Sequence, residues 1–285
     1  MIRWQGNQGR VTTPDAWTLH LHRENDITQA EPVYVGIIND MFVNDPANQD
    51  RDGDMKLHPS AISGCERNAI YAARGEPITN PRDVRYTRIM GNGTDYHTKL
   101  QAYIMTRWPD AICEQKVDWG LIHGAADVLL PVGVLTDILP VVIPRVENAY
   151  ELADFKTISP NGKRYIQGLK PRTLKNGTFK PGREAAPKPE HVLQVRIYYT
   201  GLRRMGFNLL PQFRIVYIDR DDWSTIEFLI DPWTPEEEDT YLEHMAELEA
   251  HLFDGTLPDK MPDDYWLCNL CEWRTTCKGW DDEDE

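Results

Sequence analysis

Apolar and polar positions alternate along this chain with two periods, and the switches between them mark out its elements. Ala61–Arg74 repeats at helical spacing behind Ser60, a residue suited to capping a helix N-terminus, and carries Cys65, Arg67 and Tyr71. A second helix is predicted within Asp83–Trp108, where Gly93, His97 and Gln101 follow in steps of four and share one face. The period then shortens to that of strands over residues 111–119 and 121–130, Val141–Ile143 and Tyr150–Thr157. A helix over Glu190–Met205 carries Gln194 and Tyr198, four apart and facing the same way. Strands over Gln212–Asp219 and Ile226–Ile230 and a charged amphipathic helix over Pro235–Phe253 follow. Helices on both sides of a strand-rich middle predict an α/β fold, a mixed central sheet flanked by the His97 and Gln194 helices.

Composition narrows the setting. A chain of 285 residues can bury a large core in one elaborated domain. Residues 1–57 are mixed and polar and are read as an N-terminal extension, 58–280 as the core, and 281–285 as an acidic tail. Within the extension, Asn44–Asp54 is an acidic, loop-like run without the closing glutamate of a calcium loop. The balance of 45 acids against 31 bases, a net charge of −14, excludes a protein coated in basic charge, though not a local basic groove. Such a groove is available in Asn161–Lys188, which reads as a loop. It gathers Lys163, Arg164, Lys170, Arg172, Lys175, Lys180, Arg183 and Lys188 against the single acid Glu184. No apolar run is long enough to span a membrane, and the first residues lack the apolar stretch of a signal peptide, so a cytoplasmic location is expected.

The chemistry concentrates at Asp154-Phe155-Lys156. On a strand, the acid and the lysine share a face while Phe155 points behind. An acid able to hold a divalent metal beside a lysine able to steer a water suits phosphodiester hydrolysis. Asp54-Met-Lys56 and Glu114-Gln-Lys116 match the same acid-x-lysine pattern, so context selects between them. Only Asp154 has an aspartate-bearing apolar segment before it and the basic loop and Gln194 helix after it. That upstream segment is Gly124-Ala-Ala-Asp127, and an aspartate inside an apolar run is costly without a partner, which a metal would supply. A helical histidine alone is more often a packing residue than a ligand, but His97 comes just before the strand cluster.

Five cysteines, an odd number with three near the C-terminus, point to metal ligation in a reducing compartment rather than to disulfides. Cys268, Cys271 and Cys277 follow the pattern Cys-x2-Cys-x5-Cys, and a fourth thiol is needed to complete a zinc or cubane set. Cys113 lies in an apolar run and reads as a buried strand residue, which leaves Cys65. Spacing alone leaves zinc and iron equally open.

Taken in order, these elements resemble the RecB-like branch of the PD-(D/E)XK nuclease superfamily in its iron-sulfur form, across about residues 58–280. The ordered set is Cys65 with Arg67 and Tyr71, Gly93 to His97, Gly124 to Asp127, Asp154-Phe155-Lys156, Gln194 to Tyr198, and the three C-terminal cysteines. It is similar to CRISPR-associated adaptation nucleases, to the AddB nuclease domain and to compact phage exonucleases. The resemblance implies a restriction-endonuclease-like sheet with a helical cap holding a 4Fe-4S cluster on Cys65, Cys268, Cys271 and Cys277. It also implies catalytic Mg²⁺ or Mn²⁺ on His97, Asp127 and Asp154, assisted by the Phe155 carbonyl. Lys156 would orient water, and Gln194 and Tyr198 would position the lysine or its strand. DNA ends or single strands would be the substrate, with protein partners in a recombination or CRISPR adaptation complex. In one departure, the interval from Asp127 to Asp154 is longer than the family's usual spacing, and Asp137 offers a second aspartate nearer the lysine. Asp127 keeps the Gly-x-x-Asp pattern and the Val-Leu-Leu that follows, with the extra residues expected to lengthen a strand hairpin. The rival readings are a zinc- or cluster-stapled nucleic-acid binder without catalysis and an interaction scaffold derived from a nuclease.

Overall fold

Five strands are joined into one sheet, and helices on both faces bury its central strand along most of its length, Glu151 and Asp154 included. The computed structural model describes residues 53–134 and 148–279. Asp137, the expected strand Val141–Ile143, most of the N-terminal extension and the acidic tail lie outside the described residues. In chain order the elements begin with α1 (Pro59–Ile62), α2 (Glu66–Arg74), α3 (Val84–Arg107), β1 (Ile112–Trp119), β2 (Ile122–Pro131) and β3 (Tyr150–Ile158). They continue with α4 (Pro160–Ile166), β4 (Arg172–Thr173), β5 (Phe179–Lys180), α5 (Pro189–Arg204), β6 (Phe213–Asp219), β7 (Thr225–Ile230) and α6 (Pro235–Asp254). A 3-10 turn at Trp266–Leu270 and α7 (Arg274–Lys278) close the described chain.

The main sheet has the order β1-β2-β3-β6-β7, and β4 pairs with β5 separately. Within the main sheet only β3 and β6 run parallel, so it is mixed. One face packs Leu152, Ile158, Ile215 and Tyr217 under α5, which contributes Val195, Ile197 and Leu202. The other packs Val128, Phe155, Val216 and Ile218 against α3, through Ile104, Tyr96 and Leu100. At about 25 cal/mol per Å² of apolar surface, the two layers supply the main drive to fold. Helix starts are satisfied locally: Asp83 accepts from the Tyr86 N–H, Ser159 from the Gly162 N–H, and Thr234 with Glu237 forms a capping box.

Two sequence expectations change. The helix expected over Ala61–Arg74 is two helices, because Pro59 already occupies the first turn of α1 and the chain breaks at Ser63-Gly64. Cys65 is therefore not inside a helix but precedes α2 in extended conformation, φ −160° and ψ 114°. The stretch Asn161–Lys188 is not a plain loop, since it contains α4 and the β4–β5 hairpin.

Candidate active site

The antiparallel ladder between β2 and β3 runs from Pro131–Tyr150 to Val128–Ala153 and stops there. Asp127 and Asp154 are the next residues on each strand, so they stand where the two strands part. A strand edge released in this way leaves backbone groups to be satisfied. The Asp127 carboxylate does so, its Oδ2 accepting the Phe155 N–H at 2.7 Å. The carbonyl of Phe155 projects from the same strand edge as its N–H, and the His97 ring hydrogen-bonds to that backbone. His97 Nδ1 also lies 3.7 Å from Asp127 Oδ2, and its ring meets the Phe155 ring edge-on at 6.1 Å.

Asp154 is 2 % exposed, in the middle of β3. Its Oδ1 accepts from Lys156 Nζ at 3.2 Å. Oδ2 is closer to that ammonium, at 2.9 Å, but outside hydrogen-bonding alignment, and remains a buried oxygen with no hydrogen bond among the described residues. Lys156 therefore leaves one carboxylate oxygen neutralised in charge but unsaturated.

The charges act on one another strongly. Burial pushes the Asp127 carboxyl well above the ordinary carboxylate range, and Asp154 adds to the rise against the pull of Lys156 and the Phe155 N–H. Burial disfavours the Lys156 ammonium, but the Asp154 and Asp127 carboxylates outweigh it and hold its pKa above that of a free lysine. Burial and then the Lys156 charge lower the pKa of His97, so at neutral pH its imidazole is uncharged and able to act as a ligand. One buried carboxylate with an orphaned oxygen and one partly buried carboxylate, beside a neutral imidazole and a backbone carbonyl, form a donor set suited to a hard divalent cation. Among the described residues, no group of three or more His, Cys, Asp or Glu side chains is drawn together tightly enough to be a finished metal cage.

Several neighbours complete the surroundings. Gln101, one turn beyond His97, donates to Glu114 at 2.6 Å and to the Asp127 carbonyl at 3.3 Å. Glu114 belongs to one of the acid-x-lysine matches set aside in the sequence, yet its charge reaches both His97 and Asp127. It adopts φ +52° within β1, a left-handed conformation for a residue other than glycine. On α5, His191 rather than Gln194 is the residue that feels Lys156. Burial, Lys156 and Lys188 push its pKa down to about 3, and its Nδ1 lies 2.9 Å from the Tyr217 hydroxyl. Gln194 is half-buried on α5, and its side chain makes no hydrogen bond among the described residues. Tyr198 is buried against β2 at Gly124, where an added Cβ would come within 2.9 Å of its hydroxyl. The glycine of Gly-x-x-Asp thus makes room for a tyrosine of the facing helix.

A second constellation lies apart from the acids. Cys65, Cys268, Cys271 and Cys277 line one cavity of about 280 Å³. Burial raises the pKa of the Cys65 thiol, opposed by the Asn68 and Arg67 N–H groups and aided by Cys271 and Cys277. Asn68 Nδ2 points at Cys271 Sγ from 3.4 Å. Cys113 is elsewhere, its thiol facing the Gln101 carbonyl at 3.9 Å. The walls are held by ordinary protein contacts: Trp273 stacks on Tyr71 at 6.0 Å and donates to the Glu76 carbonyl at 2.9 Å, and Arg82 pairs with Glu272 at 2.6 Å.

Fold and site together define an α/β protein with a carboxylate-lysine fork at the parting of two central strands and a four-cysteine cavity at one flank. No family model and no curated protein matches the chain. Among solved structures it is similar to one described as the crystal structure of SSO0001, at 14 % identity and a TM-score of 0.48, covering 87 % of this chain and 98 % of that one. No helix among the described residues is long and apolar enough to cross a membrane.

Proposed function

We propose that the protein is a metal-dependent deoxyribonuclease of the RecB-like PD-(D/E)XK type, acting on DNA ends or single strands, with a 4Fe-4S cluster in its cysteine cavity. The observation that carries the reading is the fork itself: Asp127 and Asp154 just beyond the end of the β2–β3 ladder, the orphaned Asp154 oxygen, and Lys156 at 2.9 Å. His97, Asp127 and Asp154, with the Phe155 carbonyl, would hold Mg²⁺ or Mn²⁺, which when bound polarises the scissile phosphate and makes an attacking water more acidic. Lys156 stays protonated and offsets the negative charge that builds on the phosphate. His97 stays neutral and keeps a lone pair available. Gln101 fixes the strand on which Asp127 sits, and Gly124 with Tyr198 fixes it from the other face. Four thiols around a hollow roomier than one zinc ion needs favour the cluster over zinc, and its role is structural, since the cavity shares no residue with the fork.

Purified protein supplied with Mn²⁺ or Mg²⁺ should degrade end-labelled DNA, and Asp154→Ala and Lys156→Ala should each abolish this without loss of fold. Equal rates in the wild type and both variants would sink the assignment. Iron and sulfide content with the visible spectrum of anaerobically purified protein tests the cluster, and a colourless protein carrying one zinc would overturn it.

A further inference from the structure

The β4–β5 hairpin carries a residue pairing that is unfavourable on its own. Its register sets Arg172 opposite Lys180 and Thr173 opposite Phe179, and all four are exposed. Like charges directly opposite each other destabilise an antiparallel pair, and a ladder of two residues per strand has little to offset them. On the other face the Phe179 ring is 64 % exposed. Neither feature helps the hairpin as a piece of structure.

The hairpin is nonetheless built on a defined neck. Leu169 and Arg183 exchange backbone hydrogen bonds at 2.7 and 2.8 Å, and the Ala186 N–H reaches the Ile166 carbonyl. Gly168, at φ +76°, sits where an added Cβ would lie 2.3 Å from the Arg183 carbonyl oxygen, so the two strands of the neck cross at glycine distance. Beside the neck Tyr165 is 56 % exposed, with the Arg183 guanidinium over its ring at 4.0 Å.

The bases of the segment divide into two sets. Lys163 is bound to Asp219 at 3.2 Å, Arg183 to Tyr165, and Lys188 pairs with Glu190 at 3.9 Å, so these three hold the arm to the body. Arg164, Lys170, Arg172, Lys175 and Lys180 are exposed and enter no ion pair among the described residues. In a chain of net charge −14, these cations are gathered on an arm that leaves directly from the end of β3. It returns into the first turn of α5, where His191 feels Lys156. One root follows Lys156 by two residues at the end of β3, and the other carries the histidine that feels the Lys156 charge.

We infer that this hairpin selects single-stranded DNA for the fork, its Arg172–Lys180 face taking backbone phosphates and Phe179 on the opposite face stacking on an unpaired base. The inference deepens the nuclease reading and rests on it for the fate of the strand, but not for the binding itself. A polyanion removes the repulsion between Arg172 and Lys180, and an exposed phenyl ring gains from a base only where that base is out of a duplex. An intact duplex offers phosphates to the basic face and nothing to Phe179.

The test is fluorescence anisotropy of the full-length protein in EDTA, with a labelled oligothymidylate and a relaxed, covalently closed duplex minicircle that has neither ends nor unpaired bases. Phe179→Ala should weaken the oligothymidylate by about 5- to 150-fold, the range of one base-aromatic stack, and leave the minicircle unchanged. Phe179→Trp should restore it. The double variant Arg172→Gln with Lys180→Gln should reduce the salt slope for the single strand by about 1.4, two phosphates at about 0.7 each. Phe179→Ala binding the single strand as the wild type does, or losing both DNAs equally, would overturn the inference, as would an unchanged salt slope in the double variant. Because no divalent cation is present, a protein that fails to cut DNA yet shows this dependence on Phe179 loses the catalytic reading and keeps the binding one. The converse result separates them equally.

Discussion

The fork and the cysteine cavity are built in opposite ways. The fork is made of groups already in contact: Asp127 on the Phe155 N–H at 2.7 Å, Asp154 against Lys156 at 2.9 Å, His97 at 3.7 Å from Asp127. The sheet holds them there, and their charges shift one another's protonation. The cysteines surround a hollow, and its walls are held chiefly by contacts of neighbouring residues, Trp273 with Tyr71 and Glu76 and Arg82 with Glu272. Asn68 and Cys271, which meet across it, are 203 residues apart in sequence. A site embedded in a sheet can lose a side chain and keep its frame, whereas a site assembled between distant segments depends on whatever joins them.

The largest effect should separate the two by what each loses. On the nuclease and cluster reading proposed above, Asp154→Ala should keep any visible cluster absorbance and lose DNA hydrolysis by about 10³-fold or more, read in single-turnover assays. Cys271→Ala should bleach the protein and lower its melting temperature, with activity falling only in step with the folded fraction. A coloured Cys271→Ala variant would end the distinction. Next in size is Trp273→Ala, which removes the stack on Tyr71 and leaves a void beneath the cavity. It should cost about 3–5 kcal/mol in denaturant unfolding, whatever occupies the cysteines.

A smaller effect probes the frame of the fork. Gly124→Ala drives a Cβ into the Tyr198 hydroxyl at 2.9 Å and should cost about 1–3 kcal/mol, part of which Tyr198→Phe recovers in the double variant. The smallest concerns a helix contact away from the fork, at the residue that follows Cys65. His244 Nε2 lies 2.6 Å from Glu66 Oε1, joining α6 to α2. Burial lowers the pKa of His244, but the hydrogen bond to Glu66 and its charge, with Glu247, outweigh that and leave it raised. A raised folded value means that the contribution is fully present below the unfolded value of about 6.5 and lost as pH climbs through the folded value. Solvent screening keeps it under about 1 kcal/mol. His244→Gln should therefore lie below the wild type in stability at acidic pH and converge with it at alkaline pH. A gap that widened toward alkaline pH would contradict the assignment.

Much of this architecture can be read in the chain because period and burial agree. The strands around Asp127 and Asp154 and the helices carrying His97 and Tyr198 lie within a few residues of their expected bounds, since each buries one continuous apolar face or two. What escapes the sequence depends on register between elements. Glu114 looks like a chance match until the β1–β2 hairpin sets it near Asp127, and His191 is unremarkable until α5 packs on β6 and brings it to the Tyr217 hydroxyl. The break at Ser63-Gly64 was hidden for a different reason, since the apolar spacing continues through it while Pro59 moves the helix start. The hairpin was hidden by its charges, which read as solvation because nothing in one strand reveals what faces it.

The Phe155 N–H gives the Asp127 side chain two employers. Its Oδ2 belongs to the masonry of the sheet, standing in for the neighbouring strand that has turned away, and the same oxygen lies 3.7 Å from His97 Nδ1. An alanine at this position removes a structural stone together with the proposed ligand, and any loss of the proposed activity would be credited to the wrong cause. Asparagine keeps an oxygen for the masonry and gives up only the charge, so at this residue, unlike at Asp154, the amide is the informative replacement.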